Sequence, residues 1–297
     1  MQQGTIDING TAVEYTRRGE GPPLLLVPGG SGHGGVLERL AEGLAEHYAV
    51  AVMNSRVASR QRPGTVLGDQ HPKVHAEDAA AVIDALFDEA PIVVGFSSGA
   101  VTTLELLAHH PERVRLAVVH EPPLVGQLPE AARLRAEMAS VRESARAGDF
   151  AAAGAAMTAM MIDTDVRFAA PALRRFGSWP EGYAGTAPEP PTPELLELFG
   201  RLGDLQPLFL EHMLVQFTGY EPDLTALAAQ SERLVLAVGV DSRADLPFQT
   251  TAALASHLGL PLAELPSGHL GSVERPTQFA GALRALLNAT RNHVRSQ

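Results

Sequence analysis

The pentapeptide Gly95-Phe96-Ser97-Ser98-Gly99 lies directly between an apolar run, Ile92–Val94, and a helical pattern, Ala100–Leu107. A strand must therefore become a helix within a few residues. So sharp a turn strains the backbone of the central residue, and the flanking glycines remove Cβ atoms that would strike the adjoining strand and helix. Ser97 Oγ is thus expected at a helix N-terminus, where free N–H groups and the positive end of the dipole favour a developing oxyanion. Ser98 breaks the glycine spacing as a nucleophile, but its backbone N–H is placed to serve as an oxyanion donor.

Around this turn, short apolar runs alternate with helical patterns. Thr5–Ile8 and Ala12–Thr16 flank Asn9-Gly10, a strong hairpin signal. Leu24–Val27 reads as a buried strand, and a glycine-rich loop, Gly29 to Gly35, follows it. Leu37, Leu40, Ala41 and Leu44 then repeat at helical spacing. Ala49–Met53 and Leu116–Val119 read as strands, and Ala79, Val82, Ile83 and Leu86 mark a helix face. This alternation predicts an α/β fold with a mostly parallel sheet flanked by crossover helices.

From Leu128 to Gln230 the pattern changes. Ala131–Met161 reads as alanine-rich helix, residues 187–193 as a stiff Pro-rich connector, and no strand is expected. Alternation resumes with strand Leu234–Val238, helix Thr250–Leu258, strand Leu262–Leu265 and a helix from Pro276. The expected organisation is a core of residues 1–127 and 231–297 with a helical cap, 128–230, over the sheet's C-terminal edge. That edge is where open α/β sheets bind ligands.

Composition narrows the function. With 23 Lys and Arg against 34 Asp and Glu, the net charge is −11. That argues against nucleic-acid partners, which call for a basic face. The chain has no cysteine, so disulfides, thiolate catalysis and Cys-ligated metals are excluded. No apolar run approaches a membrane span, and Met1 to Gly10 has no signal-peptide pattern, so a cytoplasmic location without membrane partners is expected.

The second oxyanion donor is expected in the loop after the earlier strand, and Gly30 in Val27-Pro28-Gly29-Gly30 stands there. A phosphate loop would instead carry Lys and Ser or Thr after its glycines, where His33-Gly34-Gly35 follows. Of 11 histidines, His269 in Ser267-Gly268-His269-Leu270-Gly271 sits just past the last strand, the expected place for a base. His71 and His75 have metal-ligand spacing, but Pro72 intervenes and no third ligand suggests itself, so no metal is expected. Two residues compete as the acid. Asp241 follows the strand Leu234–Val238, and Glu121 follows Leu116–Val119, ahead of Pro122-Pro123, which stop a regular strand.

The elbow, the Gly29-Gly30 loop, late His269 and the inserted segment resemble the α/β-hydrolase superfamily over nearly the whole chain. Ser97-Ser98-Gly99-Ala100, His120-Glu121-Pro122-Pro123 and Pro28-Gly29-Gly30 are similar to motifs of zearalenone-type lactonases and related bacterial serine hydrolases. The resemblance implies a Ser97, His269 and Glu121 triad, with Asp241 as the alternative acid. It implies hydrolysis of an ester or lactone through an acyl-enzyme without cofactor or metal, and it is compatible with a homodimer. Met53 to Ser59 departs from the stretch usual in the superfamily.

A small apolar ester or lactone is the expected partner. Gly29, Phe96, Met157, Met161 and Trp179 are the expected substrate contacts, Trp179 because loop aromatics are more often functional than packed. The same scaffold could instead carry cofactor-free haloperoxidase, perhydrolase or C–C hydrolase chemistry, or serve as a non-catalytic ligand receptor.

Overall fold

Asn9 and Gly10 adopt φ of 53° and 87°, the left-handed geometry of a two-residue hairpin turn. Across it, strand β1 (Gln2–Ile8) pairs antiparallel with β2 (Thr11–Arg18). The structure, a computed structural model, describes residues 1–30, 32–61, 63–64, 67–175 and 187–295, the last five as backbone only.

β3 (Pro23–Val27) and β4 (Ala49–Met53) are buried at every position, as strands covered on both faces must be. Between them lie a 3-10 turn, Gly34–Leu37, and helix α1 (Glu38–Leu44). A two-residue strand, β5 (Arg60–Gln61), pairs with β2. Helix α2 (Pro72–Leu86) then leads to β6 (Ile92–Phe96), α3 (Ser98–His109) and β7 (Leu116–His120).

Next come α4 (Ala131–Arg146), α5 (Phe150–Met161), β8 (Leu173–Arg175) and α6 (Pro193–Leu202). Short helices α7 (Gln206–Leu208) and α8 (Leu214–Thr218) flank a π-helical turn, and α9 (Leu224–Ala228) follows. The chain finishes with β9 (Leu234–Gly239), α10 (Leu246–Leu258), β10 (Leu262–Leu265), α11 (Gly271–Glu274) and α12 (Pro276–Arg295).

Among the described residues the strands form one sheet in the order β1-β2-β4-β3-β6-β7-β9-β10-β8. From β4 to β8 every pairing is parallel. This is the mostly parallel α/β sheet expected from the alternation, in the α/β-hydrolase fold that the resemblance implies. Side chains alternate across a strand, so Leu25, Val93 and Val119 pack on one face with α2 and α3. Leu24, Leu26 and Val94 pack on the other with α1 and α12. Fully burying one such side chain contributes about 1.5–3 kcal/mol. The segment between β7 and β9 contributes to a third apolar cluster, in which Leu134, Met138 and Val141 of α4 meet Leu210 and Leu214 of the same segment and Leu246 of α10.

Two expectations about that segment need correction. Its three-residue strand, β8, pairs parallel with β10 at the sheet edge; so short a strand leaves no period to read. The alanine-rich run is two helices. Gly148 turns the chain at φ 87°, and the Asp149 side chain caps α5 by accepting the Ala152 N–H at 3.0 Å.

Candidate active site

Five adjacent parallel strands deliver their C-terminal ends to one edge of the sheet. β3 leads into the glycine loop, β6 into Ser97, β7 into Glu121, β9 into Ser242, and β10 into His269. The pairings run one residue past the regular strands: Ser97 N–H donates to His120 O at 2.9 Å and Glu121 N–H to Ala237 O at 3.1 Å. Ser97 and Glu121 are then forced to positive φ, 51° and 53°. For residues with a Cβ that geometry costs on the order of 1–3 kcal/mol and marks sites where geometry is held against strain.

The elbow explains its glycines. A Cβ on Gly95 would lie 2.3 Å from Thr103 Oγ1 and 2.4 Å from Gly99 O, and one on Gly99 would lie 2.3 Å from Val27 O. Helix α3 therefore starts directly against the end of β3. Ser97, half-buried, precedes its first turn. Gly30 N–H and Ser98 N–H make no hydrogen bond to a described residue.

Glu121 is wholly buried, and its carboxylate is held at both oxygens. Oε1 accepts the Gly239 N–H at 2.8 Å and the Ser242 hydroxyl. Oε2 lies 2.7 Å from His269 Nδ1. A carboxylate only accepts, so Nδ1 carries the proton and Nε2 is left with its lone pair. Burial alone would raise the Glu121 carboxyl. His120, His269 and the Ser242 hydroxyl more than offset this and hold it below the ordinary carboxylate value. Neither Ser97 Oγ nor His269 Nε2 has a hydrogen-bond partner among the described residues.

The structure thus brings Glu121 to His269 and takes Asp241 elsewhere: its Oδ2 pairs with Arg275 Nη1 at 3.2 Å. Gly29 lies against the elbow, where a Cβ would meet Ser97 Cβ and Phe96 O at 2.8 Å. Phe96, expected at the substrate, is 4 % exposed and packs on Phe279 and His120 in the core beneath the edge. Met157 and Met161 are half-buried against the apolar cluster of α4 and α5. Trp179 lies outside the described residues. Ser242 and Gly239 were not singled out by sequence; their one signal was position, at the end of the strand where an acid was sought.

A cleft of about 780 Å³ opens between the β1–β2 hairpin, the Gly34–Leu37 turn and α6. His33, Leu198 and Arg201 line it, and Ser97 and His269 do not. Among the described residues no group of three or more His, Asp or Glu is arranged to hold a metal ion, and no helix is long and apolar enough to cross a membrane.

A family model for the alpha/beta hydrolase fold matches residues 22–171, half of the chain, and the chain belongs to that family. It is 25% identical over 296 residues to the uncharacterized hydrolase YraK of Bacillus subtilis (strain 168), covering 99% of each. It is 29% identical over 206 residues to a zearalenone hydrolase of Bionectria ochroleuca, covering 65% of this chain and 74% of that one. In three dimensions it is similar to a thermophilic esterase from Thermogutta terrifontis. The TM-score is 0.68 at 18% identity, over 98% of this chain and 99% of that one.

Proposed function

We propose that this α/β hydrolase cleaves a carboxylic ester or lactone with Ser97 as nucleophile. The observation that carries the reading is the 2.7 Å contact of His269 Nδ1 with Glu121, on the sheet edge that also presents Ser97. An imidazole tethered at Nδ1 has a fixed tautomer, with Nε2 free to accept a proton. His269 takes the Ser97 proton as Oγ attacks the substrate carbonyl. The N–H groups of Gly30 and Ser98 stabilise the tetrahedral oxyanion. Such a donor typically accounts for a factor on the order of 10² or more in rate. His269 then gives its proton to the leaving alkoxide. Water, deprotonated by His269, attacks the acyl-enzyme and releases Ser97. Glu121 stabilises the imidazolium in both halves. These steps use side chains and backbone N–H groups of this chain, and water.

Residues 128–230 form the cap in this reading, and Met157 and Met161 supply apolar contacts to the acyl or alcohol part. The similarity to a zearalenone hydrolase makes a macrocyclic lactone a substrate to try beside simple esters. Wild type and Ser97→Ala are compared on p-nitrophenyl acetate, p-nitrophenyl butyrate and zearalenone. Hydrolysis by wild type that vanishes in Ser97→Ala is the expected result. Equal rates in the two, or no turnover by wild type, would sink the proposal.

A further inference from the structure

The two oxyanion donors belong to different stretches of chain. Ser98 opens α3, whereas Gly30 sits in a loop of glycines with φ of 60° at Gly30 and 81° at Gly32. Glycine gives such a loop its shape but little resistance to other shapes. Displacing one donor by about 1 Å can remove most of its stabilisation of a transition state. Inside the loop, Gly32 N–H donates to Gly29 O at 3.0 Å; the position of the loop relative to Ser98 depends on what holds it from outside.

Two side chains do so. Ser98 Oγ donates to Gly30 O at 3.0 Å, tying one donor residue to the other. At the far end of the loop, Asn54 Oδ1 accepts the Gly34 N–H at 2.7 Å, in the interior. Asn54 is itself braced from β2: its N–H donates to Glu14 O at 2.8 Å and its Nδ2 to Glu14 Oε2 at 3.1 Å. Next to it, Ser55 N–H donates to Gly32 O at 2.7 Å. Asn54 and Ser55 lie in the stretch that departs from the superfamily's usual sequence.

Neither polar group is explained by packing. Ser98 is 5% exposed and is not the helix cap, so alanine would fill its place as well. We infer that Ser98, through its hydroxyl, and Asn54, through its amide, are positioning residues that set the oxyanion hole by clamping the glycine loop at Gly30 and Gly34. This rests on the serine-hydrolase reading. The clamp acts through backbone atoms, so it tunes the rate of acylation and leaves ground-state binding of the ester almost unchanged.

The test uses the full chain, as wild type, Ser98→Ala, Asn54→Ala and the double variant. Each is assayed on p-nitrophenyl butyrate, for inhibition by butylboronic acid, which mimics the tetrahedral intermediate, and for labelling by a fluorophosphonate. Loss of one neutral hydrogen bond corresponds to about a tenfold change. Each single variant is expected to lose about that factor in kcat with KM within about twofold, and to lose boronate affinity in parallel. Ser98→Ala keeps its backbone N–H and its fold, so it reads the hydroxyl alone. A Ser98→Ala variant equal to an active wild type in kcat and boronate affinity overturns the inference, whatever its melting temperature. A wild type that neither hydrolyses the ester nor takes the label removes the serine-hydrolase reading and this inference with it.

Discussion

The Ser242 hydroxyl donates to Oε1 of Glu121, 121 residues earlier in the chain, while His269 holds the other oxygen. The end of β9 thus supplies the brace for a carboxylate carried by β7. With Gly239 N–H on the same oxygen, the buried carboxylate has a donor at each end and cannot rotate away from the imidazole.

Glu121→Gln should therefore be far more damaging than Ser242→Ala. The amide can present an N–H to Nδ1 and so select the wrong tautomer; a loss of kcat on the order of 10³–10⁴ is expected. Ser242→Ala leaves Gly239 N–H in place and should lose only about three- to tenfold. Steady-state kinetics on a p-nitrophenyl ester checks both. A Glu121→Gln variant within tenfold of wild type would remove Glu121 from the mechanism.

Asp241→Ala is expected to retain wild-type kcat within about twofold, because its carboxylate faces Arg275 rather than His269. Its cost should appear in stability. Arg275 is 7% exposed and keeps a buried guanidinium after the change. Removing Asp241 takes one charged partner from this buried guanidinium, so a drop of about 1–3 kcal/mol in urea unfolding is expected. Inactivity in a folded Asp241→Ala protein would transfer the acid role to Asp241.

Much of this arrangement is legible in the sequence because it is periodic or punctuated. Leu24–Val27, Ile92–Val94 and Leu116–Val119 are short apolar runs between helical patterns, and only a parallel sheet accommodates that order. The glycines of the elbow report a steric requirement that the distances confirm. Position along the chain does not choose between Glu121 and Asp241; the resemblance carried by His120-Glu121-Pro122-Pro123 does. Both follow strands, and what separates them is a set of long-range hydrogen bonds from Gly239, Ser242 and His269. Phe96 misled because its neighbours in the chain are at the edge, whereas alternation along β6 turns its ring into the core beside Phe279.

Two histidines make the fold sensitive to acid. Burial lowers the pKa of His75 from 6.5 to about 3, with help from Arg56 and His71, and lowers that of His120 to about 4. In the unfolded chain both titrate near 6.5, so below that pH the unfolded state binds more protons. Their stabilising contribution is complete above pH 6.5 and is lost as pH falls toward 4 and then 3, at up to about 1.4 kcal/mol per pH unit for each. The ring nitrogens of His120 have no hydrogen-bond partner among the described residues, and the ring lies between Phe96 and Phe279. His120→Phe should fold and flatten the dependence of unfolding free energy on pH between about 4.5 and 6.5. An identical slope in wild type and variant would show that His120 is not held neutral by the fold.

The last prediction sets two glycines against each other. A Cβ on Gly99 would sit 2.3 Å from Val27 O and 2.4 Å from Pro28 O, both backbone atoms of the strand and loop facing α3. Neither can move without opening the contact between β3 and the elbow, so Gly99→Ala should cost at least the 1–3 kcal/mol typical of overpacking. It should also lower kcat, because the loop that carries Gly30 starts at the displaced Pro28. Gly281 lies on the exposed side of α12 with open space where its Cβ would go. There alanine removes only the entropic cost of glycine in a helix, and Gly281→Ala should gain about 0.5–1 kcal/mol with unchanged kinetics. Urea melts and initial rates on the two variants separate the cases. Equal stability of Gly99→Ala and wild type would mean that the close approach of α3 to β3 is not a fixed feature of the fold.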